Sequence, residues 1–146
     1  MKSVQKALKR RADGEKGFTL IELLVVVIIL GILAAIAVPI YLNQRKSAWN
    51  ATTESDVKNA SLVVESAASA AGGDYSGITA PASCTSAAAC TLTAGGESYT
   101  VTVSKNVTLN FKNFTKDGYQ IEGTNSSATG LKTFTYDSAT GKVSRS

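Results

Sequence analysis

Residues 16–42 read KGFTLIELLVVVIILGILAAIAVPIYL, and the rest of the chain is constrained by what can follow from that stretch. Residues 23–42 are twenty consecutive positions without a charged or amide side chain. As a helix the run is about 30 Å long, the thickness of a bilayer's hydrocarbon core. Basic residues precede it, and Arg45 and Lys46 follow it. The heavier basic block lies on the N-terminal side, which predicts a cytoplasmic N-terminus and a body outside the membrane. Gly31 and Pro39 interrupt the run. Relative to Ala they weaken a helix interior by roughly 1 and 3 kcal/mol, and membrane helices tolerate both when neighbours re-satisfy the backbone.

Beyond the run a helical period continues. Trp49, Thr53, Val57, Ala60, Val64, Ala67 and Ala71 recur at steps of three and four, while Glu54, Asp56, Lys58 and Glu65 fall mostly elsewhere. Gly72-Gly73 then stops the helix. One helix over 18–71 is predicted, apolar all round in its first half and amphipathic in its second. Fully helical, it would reach about 80 Å, too long for a compact domain of this size, so part of it is expected to protrude. Residues 74–97 read as a small-residue loop carrying both cysteines. The period then changes to two: Tyr99, Val101 and Val103, then Val107, Leu109 and Phe111, then Tyr119 and Ile121, and finally Phe134 with Tyr136. The predicted class is α+β, a long N-terminal helix whose amphipathic half covers a small antiparallel sheet of about three to four strands.

Composition narrows the chemistry. The 146 residues suit one domain, and fifteen Lys and Arg against eleven Asp and Glu give a net charge of +4. Residues 1–17 hold six of the basic and two of the acidic groups, and the remainder holds nine of each sign. The basic balance therefore belongs to the N-terminal tag, and the body is neutral. There is no histidine, which excludes a Ser-His-Asp triad and any His-ligated zinc site, and two cysteines cannot form a four-thiolate site. The acidic residues of the sheet region, Glu97, Asp117, Glu122 and Asp137, are isolated, without a calcium-loop pattern. The reading is a protein that is not an enzyme and needs no cofactor.

The oddest residue is Glu22, a carboxylate one turn into an apolar helix, where an ionised group at the bilayer centre costs about 2.5–3.5 kcal/mol or more. No basic side chain follows within the helix before Arg45. Cleavage after Gly17 would supply the missing cation, because a free amine on Phe18 lies four residues from Glu22. With Lys16-Gly17-Phe18-Thr19-Leu20-Ile21-Glu22 leading into the apolar run, the sequence resembles type IV pilins and their relatives, the pseudopilins of type II secretion and the competence pilins. The resemblance is close over residues 16–45. It implies a pilin-like fold, a peptidase cut between Gly17 and Phe18, N-methylation of Phe18, a role for Glu22 in assembly, and helix breaks at Gly31 and Pro39 in the filament. The implied organisation is a removed basic leader (1–17), a transmembrane and filament-core helix (18–44), an amphipathic helix on the head (45–73), a helix–sheet loop (74–97) and a sheet head (98–146). Implied partners are copies of the chain itself, a prepilin peptidase and methylase, an assembly platform protein and ATPase, the membrane, and minor pilins. The implied location is the cell membrane for the precursor and an extracellular pilus for the mature chain. Nucleic acid becomes a partner only if the chain is a competence pilin.

In a bundle of such helices, Glu22 of one subunit can pair with the Phe18 amine of its neighbour. At 4 Å and an effective dielectric of 20 the attraction is about 4 kcal/mol before desolvation, and desolvation cancels much of it, so the pair's use is axial register. Two other readings of the segment exist. Ala35-Ile36-Ala37 could serve as a secretory cleavage site, releasing a protein that begins at Val38, or the run could be a plain single-pass anchor with Glu22 at the headgroups.

Cys84 and Cys90 enclose five residues, and an even pair outside the membrane favours a disulfide worth about 2–2.5 kcal/mol by loop closure. Well-known Gram-negative pilins carry theirs near the C-terminus, and the leader here is longer than the shortest ones in that group; both departures leave the subfamily open and point toward a Gram-positive source. Asn50, Asn59, Asn106, Asn113 and Asn125 head glycosylation-type triplets that arise readily in a Ser/Thr-rich chain. Lys105, Lys112 and Lys116 near Phe111 and Phe114 read as a solvated sheet face rather than a nucleic-acid surface.

Overall fold

The computed structural model describes residues 19–146, in two compact units divided between Gln44 and Arg45. The first unit is helical. Helix α1, described over Thr19–Ala70, continues into the second unit, where it carries the head's core. Its end follows from Gly72, which takes φ +75. That left-handed turn lets Gly73 N–H reach the Ala68 carbonyl at 2.7 Å and Gly72 N–H reach the Ser69 carbonyl at 3.4 Å. Two otherwise orphaned carbonyls are thus satisfied by residues that can no longer propagate the helix.

Seven strands follow: β1 (Ser83–Thr85), β2 (Cys90–Ala94), β3 (Glu97–Val101), β4 (Val107–Lys112), β5 (Gln120–Asn125), β6 (Phe134–Asp137) and β7 (Lys142–Arg145). The main sheet is antiparallel in the order β1-β4-β5-β6-β7, and β2 and β3 form a separate hairpin. The α+β class is as the sequence predicts. Residues 74–97, read from their small side chains as loop, in fact contribute β1 and β2. Alternation there is carried by Cys84, Cys90, Leu92 and Ala94, all buried, and small residues between them obscure it. Residues 98–146 likewise form no single sheet, because β3 pairs with β2. The Cys84–Cys90 disulfide spans a Cα separation of 5.4 Å and joins β1 of the main sheet to β2 of the hairpin.

The helix face predicted from periodicity is the one that is buried: Thr53, Val57, Ala60, Val64 and Ala67 are all fully inaccessible. They pack on Leu109, Ile121, Val107 and Phe134 from the main sheet and Leu92 from the hairpin. The helix lies across β5, the central strand, and Gly123 allows it to come close. A Cβ at Gly123 would overlap Val57 Cγ2 and stand 3.1 Å from Thr53 Cγ2.

Three polar clamps hold this seam. Asn125 Nδ2 donates to Thr53 Oγ1 at 3.2 Å and to the Trp49 carbonyl at 3.4 Å. The Asp56 carboxylate accepts from Ser104 N–H at 2.7 Å and Ser104 Oγ at 2.9 Å. Glu65 accepts from the Tyr119 hydroxyl at 2.9 Å and the Tyr75 hydroxyl at 3.1 Å. Asp56 and Glu65, which the helical period does not place in the apolar row, therefore turn toward the head. Tyr119 is also the hub of an aromatic cluster, with ring centroids 5.0 Å from Tyr75, 5.4 Å from Phe114 and 5.7 Å from Tyr136.

Replacing Gly123 by Ala forces the strand and helix apart and is expected to destabilise the head by about 1–3 kcal/mol, read as a lowered melting temperature. Burial, and then the hydrogen bond to Glu65, push the Tyr119 hydroxyl well above the ordinary tyrosine range. The folded chain keeps a proton that the unfolded chain releases near pH 10. Stability from this group is thus complete below about pH 10 and is lost as pH rises above it. Tyr119→Phe should flatten the alkaline decline in melting temperature; an unchanged slope would show that this hydroxyl does not govern it.

Candidate functional site

The site on which the sequence reading rests is the N-terminal part of α1. Gly17 and Phe18, the expected cleavage and methylation positions, lie with the rest of the leader outside the described residues. The Phe18 amine that would pair with Glu22 therefore lies outside them too. Glu22 is on α1, exposed, with Thr19, Leu23 and Val26 beside it on one helix face. The residues that follow explain why the spacing matters. Successive turns of a 3.6-residue helix keep positions three and four apart on one side, and Glu22 is the sole acidic side chain between residues 19 and 53.

The apolar residues show what this helix lacks. Between residues 20 and 42 every large apolar side chain is exposed, from 46% at Val25 to 74% at Leu20. Within the second unit, the apolar face of the sheet is covered by Val57, Ala60, Val64, Ala67 and Ala68 of the same helix. Among the described residues there is one helix long and apolar enough to cross a membrane. Gly31 and Pro39 both lie within continuous helix, and a side chain at Gly31 would meet nothing within 4 Å. Pro39 removes one helical donor without ending the helix in this isolated chain.

The other expected residues are placed plainly. Cys84 and Cys90 are paired and buried. The basic-aromatic surface considered around Phe111 does not form: Phe111 is buried, Phe114 stacks on Tyr119, and Lys112 Nζ pairs with Glu122 at 3.0 Å. That lysine holds the Glu122 carboxyl below its usual range. Of the triplet asparagines, Asn50 accepts from Lys132 N–H at 2.9 Å, Asn113 donates to Gln120 at 2.8 Å and Asn125 clamps the helix. Among the described residues no three His, Cys, Asp or Glu side chains gather where they could hold a metal ion.

The seam residues Asp56, Glu65, Tyr119 and Asn125 were missed as contacts, since their partners are 48 to 76 positions away. Gly123 did leave a signal: a glycine inside an alternating strand marks a close backbone approach.

No solved structure matches the chain. Residues 13–38 match the family model for the prokaryotic N-terminal methylation motif. The matched region spans the expected cut, Glu22 and most of the exposed apolar helix. The match is confined to this N-terminal stretch, which is similar to the prokaryotic N-terminal methylation motif.

Proposed function

We propose that this chain is the precursor of a type IV pilin, a structural subunit cleaved after Gly17 that polymerises into an extracellular pilus through its N-terminal helix. The observation that carries the reading is the exposure of every large apolar side chain over residues 20–42 on a chain with the methylation motif. Such a surface is stable in lipid or against other copies of itself, and not in water.

The mechanism follows from these two environments. The precursor rests in the membrane with its head outside. Removal of the leader by a prepilin peptidase takes away the surplus positive charge that held the N-terminus inside, and it exposes the Phe18 amine one turn from Glu22. An assembly platform and its ATPase then supply the work of moving the helix out of lipid. In the bundle, the Phe18 amine of one subunit meets Glu22 of another, and any other axial offset leaves a carboxylate buried without a counter-charge, at a cost of several kcal/mol. Register is the contribution of the pair, and the apolar side chains provide the adhesion. The head, fastened to residues 49–70, forms the outer shell. Nothing in this sequence of events requires the chain to act as a catalyst.

Intact-mass measurement and N-terminal sequencing of the mature protein should find a chain beginning at Phe18 with one added methyl group. A chain beginning at Val38 would instead mean a secreted protein without the helix, and the polymer reading would fall. Glu22→Val should insert and be cleaved normally yet yield few filaments, since only the register is lost. Filament yield equal to that of the unmodified chain would remove the charge pair from the mechanism.

A further inference from the structure

The single tryptophan of the chain sits where the apolar run gives way to the head. Arg45 and Lys46 follow Leu42 by about one helical turn, and Trp49 is one turn further on. The Arg45 guanidinium lies over the Trp49 ring at 4.7 Å, and the Asn125 amide donates to the Trp49 carbonyl at 3.4 Å. The indole is held on both sides of its Cα, and the residue is only half-buried.

A second segment is drawn to the same turn of α1. Lys132 N–H donates to the Asn50 side chain at 2.9 Å, across 82 positions of sequence. Leu131, next to it, is half-buried, while Lys132 and Lys46 are exposed. Apolar and basic side chains are therefore interleaved here, Trp49 and Leu131 with Lys46 and Lys132. Acidic side chains are sparse around them. The helix carries none between Glu22 and Glu54, and Glu54 pairs with Lys58 at 3.1 Å. The loop between Asn125 and Phe134 carries none. Asp56 keeps its charge, but it is buried about two turns further along the helix, against Ser104.

We infer that Trp49, Leu131, Lys46 and Lys132 dock on the headgroups of anionic phospholipids, so that the head of the unassembled subunit lies against the membrane surface. The inference rests on the membrane-anchored precursor proposed above and adds a contact made by the head itself. Its partner follows from position and chemistry together. With the apolar run in lipid, residues one and two turns past it stand at the polar layer of the bilayer. Tryptophan suits that depth because its ring is apolar while its N–H seeks a polar partner. Lysine stems lie along apolar surface and carry the ammonium out to phosphate. A membrane surface with anionic lipid has a negative potential that favours each nearby lysine by roughly fivefold. An acidic protein would satisfy the lysines, but not the need for a partner that lies beside the apolar run.

Trp49 is the chain's only tryptophan, so its fluorescence reports this surface alone. The full chain is placed in lipid nanodiscs of phosphatidylcholine, with or without phosphatidylglycerol, and quenched with acrylamide. Trp49 should be shielded in the anionic discs and accessible in the neutral ones. Raising the salt from about 0.1 M to about 1 M shortens the screening length from about 10 Å to about 3 Å, and should abolish the difference. This arm uses the unmodified chain and does not depend on the folding of any variant. Lys46→Gln with Lys132→Gln should lose roughly twenty-fivefold in the ratio of docked to free heads, and behave in anionic discs as the unmodified chain does in neutral ones. Lys116→Gln with Lys142→Gln removes equal charge at the opposite ends of the strands and should leave the shielding unchanged. Equal quenching in neutral and anionic discs would overturn the docked head and pass the surface to a protein partner, with the anchored chain intact. Equal loss of shielding from the two double variants would reduce the effect to net charge and overturn it as well. A chain that does not co-elute with the discs would overturn the anchored reading and this contact with it.

Discussion

The close passage of α1 over Gly123 is the contact on which the head depends. A helix can bury a stripe of small and β-branched residues against a sheet only as deeply as the sheet's central strand allows. Here the absence of one side chain lets Thr53 and Val57 approach β5. With the helix at that depth, Asn125, Ser104 and Tyr119 reach polar groups on three successive stretches of it. None of these bonds is strong alone, at about 0.5–1.5 kcal/mol net for neutral partners and somewhat more to a carboxylate. Their value lies in being possible at one helix position and rotation, so that apolar packing fixes the depth and the polar clamps fix the azimuth.

That arrangement also determines what is left uncovered. One helix serves two environments, and the division is written in its side chains. From residue 53 onward the inner face is small and tightly enclosed. Over residues 20–42 the surface is large, branched and apolar on every side. The sheet has one apolar face, and the later half of the helix occupies it. The exposed earlier half is what the proposed assembly would cover.

Much of this was legible in sequence because periodicity reports a helix face directly. The five fully buried helix positions from Thr53 to Ala67 are the ones that the three-and-four spacing picks out. The apolar run and the motif around Glu22 were equally plain, since length and charge placement are one-dimensional properties. Strands β1 and β2 were not, because Ser, Thr, Ala and Cys alternate without large hydrophobic contrast. The contacts of Asp56 and Glu65 were hidden for a related reason: their hydrogen-bond donors, Ser104 and Tyr119, are remote in the chain. Cys84 and Cys90 could be paired as an even pair outside the membrane, but that they fasten two separate sheets required the strand order.

The division of α1 also sets how freely the chain can vary. Between residues 23 and 42 the helix asks for apolar volume in bulk, and many exchanges among Val, Ile and Leu leave such a surface equivalent. At Ala60 and Ala67, both fully enclosed, even one added methylene has nowhere to go. Two stretches of a single helix thus drift under different rules, one by hydrophobic character and the other by shape. In the proposed filament, sequence change in the first would retune how subunits meet and leave the surface of the head unchanged.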